Sequence, residues 1–167
     1  CVGGKVAKQQ CVGPLQLPLN NVGVMALDYS SQEGVATAIG HAPIAALVDP
    51  KAGSRVAITE SLTNMIWAPL KEGLQSVSLS ANWMWPCKNE GEDARLYKAV
   101  EAISEFAIDL GINVPTGKDS LSMKQKYPDG DVVSPGTVII SAAGNCNAIS
   151  KVVEPVFKPN NGAIYYI

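Results

Sequence analysis

Short β-type segments alternate along this chain with two longer helical segments, and this alternation limits the fold more than any other feature of the sequence. Residues 93–110 give the clearest helical pattern, with an apolar stripe formed by Leu96, Ala99, Val100, Ile103, Ala107 and Leu110. Asp93 favours the positive N-terminus of this helix, and Gly111 suits its C-terminal cap. A second helical pattern covers residues 51–67, after Pro50.

Strand-like segments lie on both sides of these helices. Residues 22–27 and 137–142 are β-prone, and residues 76–81 alternate apolar side chains with serines. Residues 127–136 predict a hairpin-like loop that turns at Pro128-Asp129-Gly130, and the turn Asn160-Asn161-Gly162 leads into a last apolar strand, residues 163–167. The interleaving predicts an α+β or α/β domain with a small sheet and helices packed on one face.

The composition excludes several classes of protein. A chain of 167 residues is long enough for one compact core, and its 13 basic residues are scattered over a chain with a net charge of −2. Nucleic acid is therefore not an expected partner, because neutralising phosphates needs a clustered basic face. No apolar run is long enough to predict a membrane span. The four cysteines form no C-x-x-C pair, and we interpret them as reduced thiols of a cytoplasmic protein.

Residues 117–120, Gly-Lys-Asp-Ser, superficially resemble the end of a phosphate-binding loop. They fail the spacing of that motif, because the upstream glycine is one residue too far away and Asp119 stands where Ser or Thr is required. A lysine, an aspartate and hydroxyl groups in one turn could still bind phosphate and a divalent ion. A solvated turn explains the same residues equally well.

Glu60 and Asn64 are four residues apart on the second predicted helix and therefore share a face. A carboxylate and an amide oxygen placed in this way can both bind Mg²⁺, although an ordinary polar helix face is the simpler explanation. Trp83 and Trp85 lie in a predicted loop, where they either meet another domain or ligand or pack locally. His41, the single histidine, has no obvious partner and is interpreted as structural.

Five segments together resemble the large, single-chain phosphoribosylformylglycinamidine synthases, in order and in spacing. These segments are residues 12–18, 60–64, 79–84, 91–97 and 115–123. In that family the synthetase region is a tandem pair of units, each with an N-terminal domain similar to that of aminoimidazole ribonucleotide synthetase and a C-terminal partner domain. The chain resembles the N-terminal domain of the second unit, and we assign residues 20–167 to it and residues 1–19 to an extended arm.

The resemblance implies a fold, an activity and a set of site residues. The sheet is expected to pair with the matching domain of the first unit to form a shared barrel. The whole enzyme uses ATP and glutamine to convert formylglycinamide ribonucleotide to formylglycinamidine ribonucleotide, and this domain holds an auxiliary site for ADP and Mg²⁺. The implied metal ligands are Glu60, Asn64 and Asn21. The implied nucleotide-binding residues are Asn20, Lys118, Asp119 and Ser120.

The sequence leaves three hypotheses. The first is an auxiliary nucleotide-binding domain, whose partners are the first synthetase unit, the C-terminal partner domain and a glutaminase domain of the same polypeptide. The second is an assembly module with a degenerate site, because Asn21 falls where bacterial enzymes of the family carry an aspartate ligand and so removes one charge. The third is a stand-alone ATP-dependent enzyme of the aminoimidazole ribonucleotide synthetase superfamily. A homodimer of the isolated domain is expected if its sheet is left uncovered.

Overall fold

A computed structural model describes residues 2–160 and 162–166. Its helices and strands, in chain order, are β1 (Val22–Ala26), β2 (Gly34–His41), α1 (Pro43–Val48), α2 (Pro50–Met65), β3 (Val77–Met84), α3 (Glu92–Leu110), β4 (Asn113–Ser120), β5 (Lys124–Tyr127), β6 (Gly130–Val133) and β7 (Thr137–Cys146). Strands and helices interleave as the sequence predicts, and the α+β class is confirmed.

Five of the strands form one mixed sheet in the order β1-β2-β7-β3-β4. β3 and β4 pair in parallel, whereas the other neighbours are antiparallel. The helix α3 connects the two parallel strands, which is the usual solution because parallel strands need a long crossover. β5 and β6 form a separate two-stranded hairpin that turns at Pro128-Asp129-Gly130, as predicted.

The sheet has a helix face and an open face. In β2 the residues that point to the helices are small and buried, as Ala36 and Ala38 illustrate. α2 packs on β2 and β7, and α3 packs beside α2, so the predicted arrangement of helices on one face is confirmed. The other face, which we call the open face, carries Thr37, Ile39, Ser78, Ser80, Thr116 and Ser141. These side chains are half-buried or exposed because no element of the described chain covers them.

The two long helices begin and end where the sequence places their signals. Asp49 caps α2 by accepting a hydrogen bond from the Lys51 backbone amide at 2.9 Å, and Pro50 occupies the first turn. α3 ends at Gly111, whose φ of 66° favours glycine. Two ion pairs join the helices: Lys51 contacts Glu101 at 2.7 Å, and Arg55 contacts Glu105 at 3.5 Å.

Two local predictions are wrong, and one strand was not predicted. Residues 34–41 form β2, the second strand in the sheet order, although the sequence predicts no strand there. Residues 117–120 lie in strand β4 rather than in a turn. Residues 163–166 form no strand, and Tyr166 is fully exposed. Asn161 and Ile167, which belong to the predicted turn and last strand, lie outside the described residues.

The prediction that both tryptophans lie in a loop is correct only for Trp85, which follows β3. Trp83 belongs to β3 and is half-buried, and Trp85 is completely buried. The two rings lie 6.5 Å apart, and Trp85 packs so closely on Gly136 that a Cβ at Gly136 would overlap its ring. Local packing is therefore the correct explanation of this pair.

The N-terminal residues contact the sheet. The backbone amide of Ala7 donates to Val24 at 2.8 Å, and that of Ala26 donates to Lys5 at 2.8 Å. Val12 is buried. The boundary between an arm at residues 1–19 and a domain at residues 20–167 stays a prediction. No helix of the described chain has the length and apolar character that crossing a membrane would require.

The buried ring of Trp85 predicts a graded response to truncation. Trp85→Ala should lower the free energy of unfolding by about 3–5 kcal/mol, because it removes a large buried side chain. Trp85→Phe should lower the free energy of unfolding clearly less than Trp85→Ala, since Nε1 of Trp85 makes no hydrogen bond with any described residue that the phenyl ring would lose. Urea denaturation measures both, with the half-exposed Trp67→Ala as the control. Equal losses of unfolding free energy in Trp67→Ala and Trp85→Ala would contradict the burial of Trp85 in the core.

The loop between β1 and β2 predicts a pH-dependent stability. Asp28 accepts hydrogen bonds from the backbone and side chain of Ser31 and then of Ser30, and these hold the pKa of its carboxyl far below the usual value. Its contribution is therefore present above the unfolded-state pKa of about 3.9 and is lost as the pH falls towards the lowered folded-state pKa. Asp28→Ala should lower Tm at neutral pH, and this difference should shrink only below about pH 4. A constant difference down to pH 2, or one matched by the exposed Asp109→Ala, would contradict this explanation.

Candidate functional site

A depression of about 630 Å³ crosses the open face of the sheet. Its floor is formed by Thr37, Ser80 and Ser141, and it extends to Thr116 on the edge strand β4. At the opposite end, α2 contributes polar side chains to its rim. His41 and Glu60 are the titratable residues among those that line it. The depression is therefore shallow, rich in hydroxyl groups and charged at one end.

Glu60 and Asn64 reach this rim from neighbouring turns of α2. β1 pairs with β2 only as far as Val22 opposite Ala38, so the outer backbone edge of β2 is free beyond that residue. The side chains of α2 take the place of the missing strand. The Glu60 Oε2 accepts a hydrogen bond from the His41 backbone amide at 2.6 Å, and the Asn64 Nδ2 donates to the Ile39 carbonyl at 3.1 Å.

These two hydrogen bonds leave one oxygen free on each side chain. Among the described residues, neither Oε1 of Glu60 nor Oδ1 of Asn64 has a hydrogen-bond partner. Carboxylate and amide oxygens are the ligands that Mg²⁺ accepts in proteins. The pair therefore fits a hard divalent cation in its chemistry, and α2 holds both side chains in place before any cation binds.

Asn20 and Asn21 lie beside this pair. Asn21 lines the depression and also a second groove of about 440 Å³, which Asn20 and Asn64 line as well. The Asn20 side chain donates to the Gln9 carbonyl at 3.2 Å. Apolar side chains, among them Trp67 and the exposed Phe157, complete the second groove. The structure thus brings together four of the predicted site residues at the junction of a polar depression and an apolar groove.

Lys118, Asp119 and Ser120 lie elsewhere. They belong to β4, which is separated from β2 by β7 and β3, or about 14 Å across the sheet. Lys118 faces the same side as Asn82 and donates to the Ser120 Oγ at 2.9 Å, whereas Asp119 points to the other side. One cation cannot therefore bind both groups of predicted residues, although one extended ligand on the open face can approach both.

The charge of the candidate cation site is low. In residues 2–160 and 162–166 no three acidic, histidine or cysteine side chains lie close enough to hold a metal ion together. A cation next to Glu60 would therefore have one carboxylate, neutral amide oxygens and water as ligands. Mg²⁺ tolerates such sites because it usually keeps several waters and binds the phosphates of its substrate.

His41 lies at the candidate site, although the sequence gives it no partner and favours a structural role. Its Nδ1 lies 3.5 Å from Glu60 Oε2, and its ring is exposed at the rim of the depression. The contact depends on β2, whose alternation of small inward residues with Val35, Thr37 and Ile39 was the available signal. Without that strand, nothing in the sequence relates His41 to a helix residue 19 positions away.

The comparison with known proteins shows the family of the chain. The family model described as the FGAR-AT PurM_N-like domain matches residues 1–145. The chain belongs to this family. It is 48% identical over 159 residues to a probable chloroplastic/mitochondrial phosphoribosylformylglycinamidine synthase of Arabidopsis thaliana and 46% identical over 161 residues to the human phosphoribosylformylglycinamidine synthase. These alignments cover 95% and 96% of the chain but only 11% and 12% of the two relatives.

Solved structures support the fold. The chain is similar to Thermotoga maritima PurL complexed with ADP, with a TM-score of 0.67 and 18% identity, over 92% of this chain and 23% of that one. It is also similar to T. maritima PurL complexed with FGAR, with a TM-score of 0.61 and 21% identity, over 83% of this chain and 21% of that one. At such identities the likeness establishes the fold alone, and it confirms the expected synthetase-like domain.

Proposed function

We propose that this chain is an auxiliary nucleotide-binding and assembly domain of a phosphoribosylformylglycinamidine synthase. The observation that carries the proposal is the convergence of Asn20, Asn21, Glu60 and Asn64 at one junction, in a chain that is nearly half identical to synthases over its whole length. The activity of the whole enzyme is the ATP-dependent conversion of formylglycinamide ribonucleotide, with glutamine as the nitrogen donor. In that reaction ATP phosphorylates the carbonyl oxygen of the glycinamide group, and ammonia then adds to that carbon and displaces the oxygen as phosphate.

Glu60, Asn64 and Asn21 would hold Mg²⁺ through their oxygens, and the cation would bind the phosphates of ADP or ATP. Asn20 and the apolar groove with Trp67 would then face the remainder of the nucleotide. Lys118 and Ser120 lie on the same open face and would meet the far end of a ligand that extends along the depression. Asp119, on the other side of β4, would act through the strand rather than on that ligand.

The open face is proposed as the surface that pairs with a second synthetase-like domain to form a shared barrel. Apart from the exposed Ile39, its centre consists of small and hydroxyl-bearing side chains, which allow another sheet to come close, and no described element covers it. The relatives are about eight times longer than the matched segment, so other domains of the same polypeptide are available. We propose the first synthetase unit as this partner, with the C-terminal partner domain and the glutaminase domain elsewhere in the assembly.

A pure assembly module is the second candidate. It is favoured by the single carboxylate at the cation site, because Asn21 supplies no charge there.

The free thiols of Cys11, Cys87 and Cys146 support the proposed cytoplasmic location, since they are compatible with a reducing compartment. Turnover of ATP and formylglycinamide ribonucleotide by these 167 residues alone would favour the third candidate, a stand-alone enzyme.

Replacing the carboxylate tests nucleotide binding. Glu60→Ala in the full-length protein should release the nucleotide that copurifies with it, because it removes the only charged ligand proposed for the cation. The nucleotide is measured by absorbance and chromatography after denaturation. Glu105→Ala, which removes an exposed carboxylate on α3, should retain it. Retention in both variants would refute the cation site, and absence of nucleotide and Mg²⁺ binding from the wild-type protein would favour the assembly module.

A charge on the open face tests sheet pairing. The isolated 167-residue chain should self-associate in solution, because its open face lacks a partner. Ser141→Lys, at the centre of that face, should yield a monomer by light scattering, whereas Thr59→Lys on the outer surface of α2 should not. A wild-type chain that is monomeric at all concentrations would contradict the proposed pairing surface.

A further inference from the structure

Gly40 lies between the two backbone groups that orient the candidate cation ligands. Glu60 accepts a hydrogen bond from the backbone amide of His41, the residue after Gly40. Asn64 donates a hydrogen bond to the carbonyl of Ile39, the residue before Gly40. The two side chains of α2 therefore straddle a single position of β2. Both hydrogen bonds require α2 to lie almost in contact with the strand at this point.

The absence of a side chain at Gly40 makes this contact possible. A Cβ there would overlap with the Ala57 carbonyl oxygen and the Ser61 amide nitrogen, and it would lie 3.1 Å from the Cβ of Glu60. The first two atoms belong to the backbone of α2, so no side-chain rotation can relieve the overlap. Ser61 is completely buried at this contact and leaves little room for the helix to shift.

We propose that Gly40 is a positioning residue of the nucleotide–cation site. Its missing side chain brings α2 close enough for Ile39 and His41 to hold the ligand side chains, each with one oxygen left free. Hydrogen bonds that orient a ligand commonly contribute tenfold to hundredfold to metal affinity. Any larger residue would push α2 outwards, stretch both hydrogen bonds and release the two ligands into several rotamers. This inference rests on the proposed function.

The first test compares two glycines of the same strand in the full-length protein. Gly40→Ala should weaken, roughly tenfold to hundredfold, the binding of the Mn²⁺ ion that Glu60→Ala removes, measured by electron paramagnetic resonance. Gly34→Ala is the matched control, because a Cβ there would lie 2.7 Å from the Met25 carbonyl oxygen at the other end of β2. It should lose stability but bind Mn²⁺ with wild-type affinity. Equal affinities in the two variants, at comparable losses of Tm, would overturn the positioning role.

The second test remains decisive if Gly40→Ala fails to fold. Asn64→Asp keeps an oxygen ligand and adds a negative charge, so it would bind Mn²⁺ more tightly if Asn64 were only a ligand. It also removes the N–H group that donates to Ile39, and a carboxylate would repel that carbonyl. Positioning by the strand therefore predicts unchanged or weaker binding. A tighter Mn²⁺ complex would overturn the inference.

These tests separate the inference from the proposed function. If the wild-type protein binds neither Mn²⁺ nor ADP, the proposed function fails and Gly40 has no site to position. If the wild type binds and Gly40→Ala binds equally well, the proposed function stands and only the positioning role is lost.

Discussion

The contact between α2 and β2 is the constraint on which the rest of the molecule depends. It is made by residues with little or no side chain, because Gly40 of the strand meets Ala57 and Ser61 of the helix, and the inward-facing Ala36 and Ala38 of the strand are buried beneath the helical layer. Small residues allow a helix to approach a sheet closely, and close approach increases the dispersion contacts that each buried atom makes. α3 in turn packs beside α2, and two partly exposed ion pairs also join the two helices.

The same contact explains why polar residues of α2 reach the open side of the sheet. β1 is short and leaves the outer edge of the last residues of β2 without a neighbouring strand, although β7 still pairs with their inner edge. An unpaired backbone edge is costly when buried, and Glu60 and Asn64 satisfy it from the helix. A structural need and a candidate ligand set thus coincide in the same two side chains. This coincidence also explains why a polar helix face, taken by itself, did not reveal a site.

Most of the fold could be predicted from the spacing of apolar residues and from the proline and glycine residues that begin helices or form turns. The apolar stripe of residues 93–110, Pro50 before α2 and the Pro128-Asp129-Gly130 turn all act locally, so the sequence contains the information directly. β2 escaped detection because its inward positions are glycine and alanine, which carry little apolar signal although they are buried. The sequence left the burial of Trp85 open for a related reason, since this burial depends on Gly136, a residue 51 positions later. The family resemblance named the site residues, but only the tertiary structure relates His41 to Glu60.

The hairpin of β5 and β6 has one further consequence. Its residues are all exposed, it forms a sheet of its own, and it ends in a tight polar turn between Tyr127 and Gly130. Chain inserted at such a tip disturbs no core, because few buried groups depend on the backbone there. A fluorescent label or a small peptide epitope placed at Asp129 would therefore leave the interior of this domain unaltered.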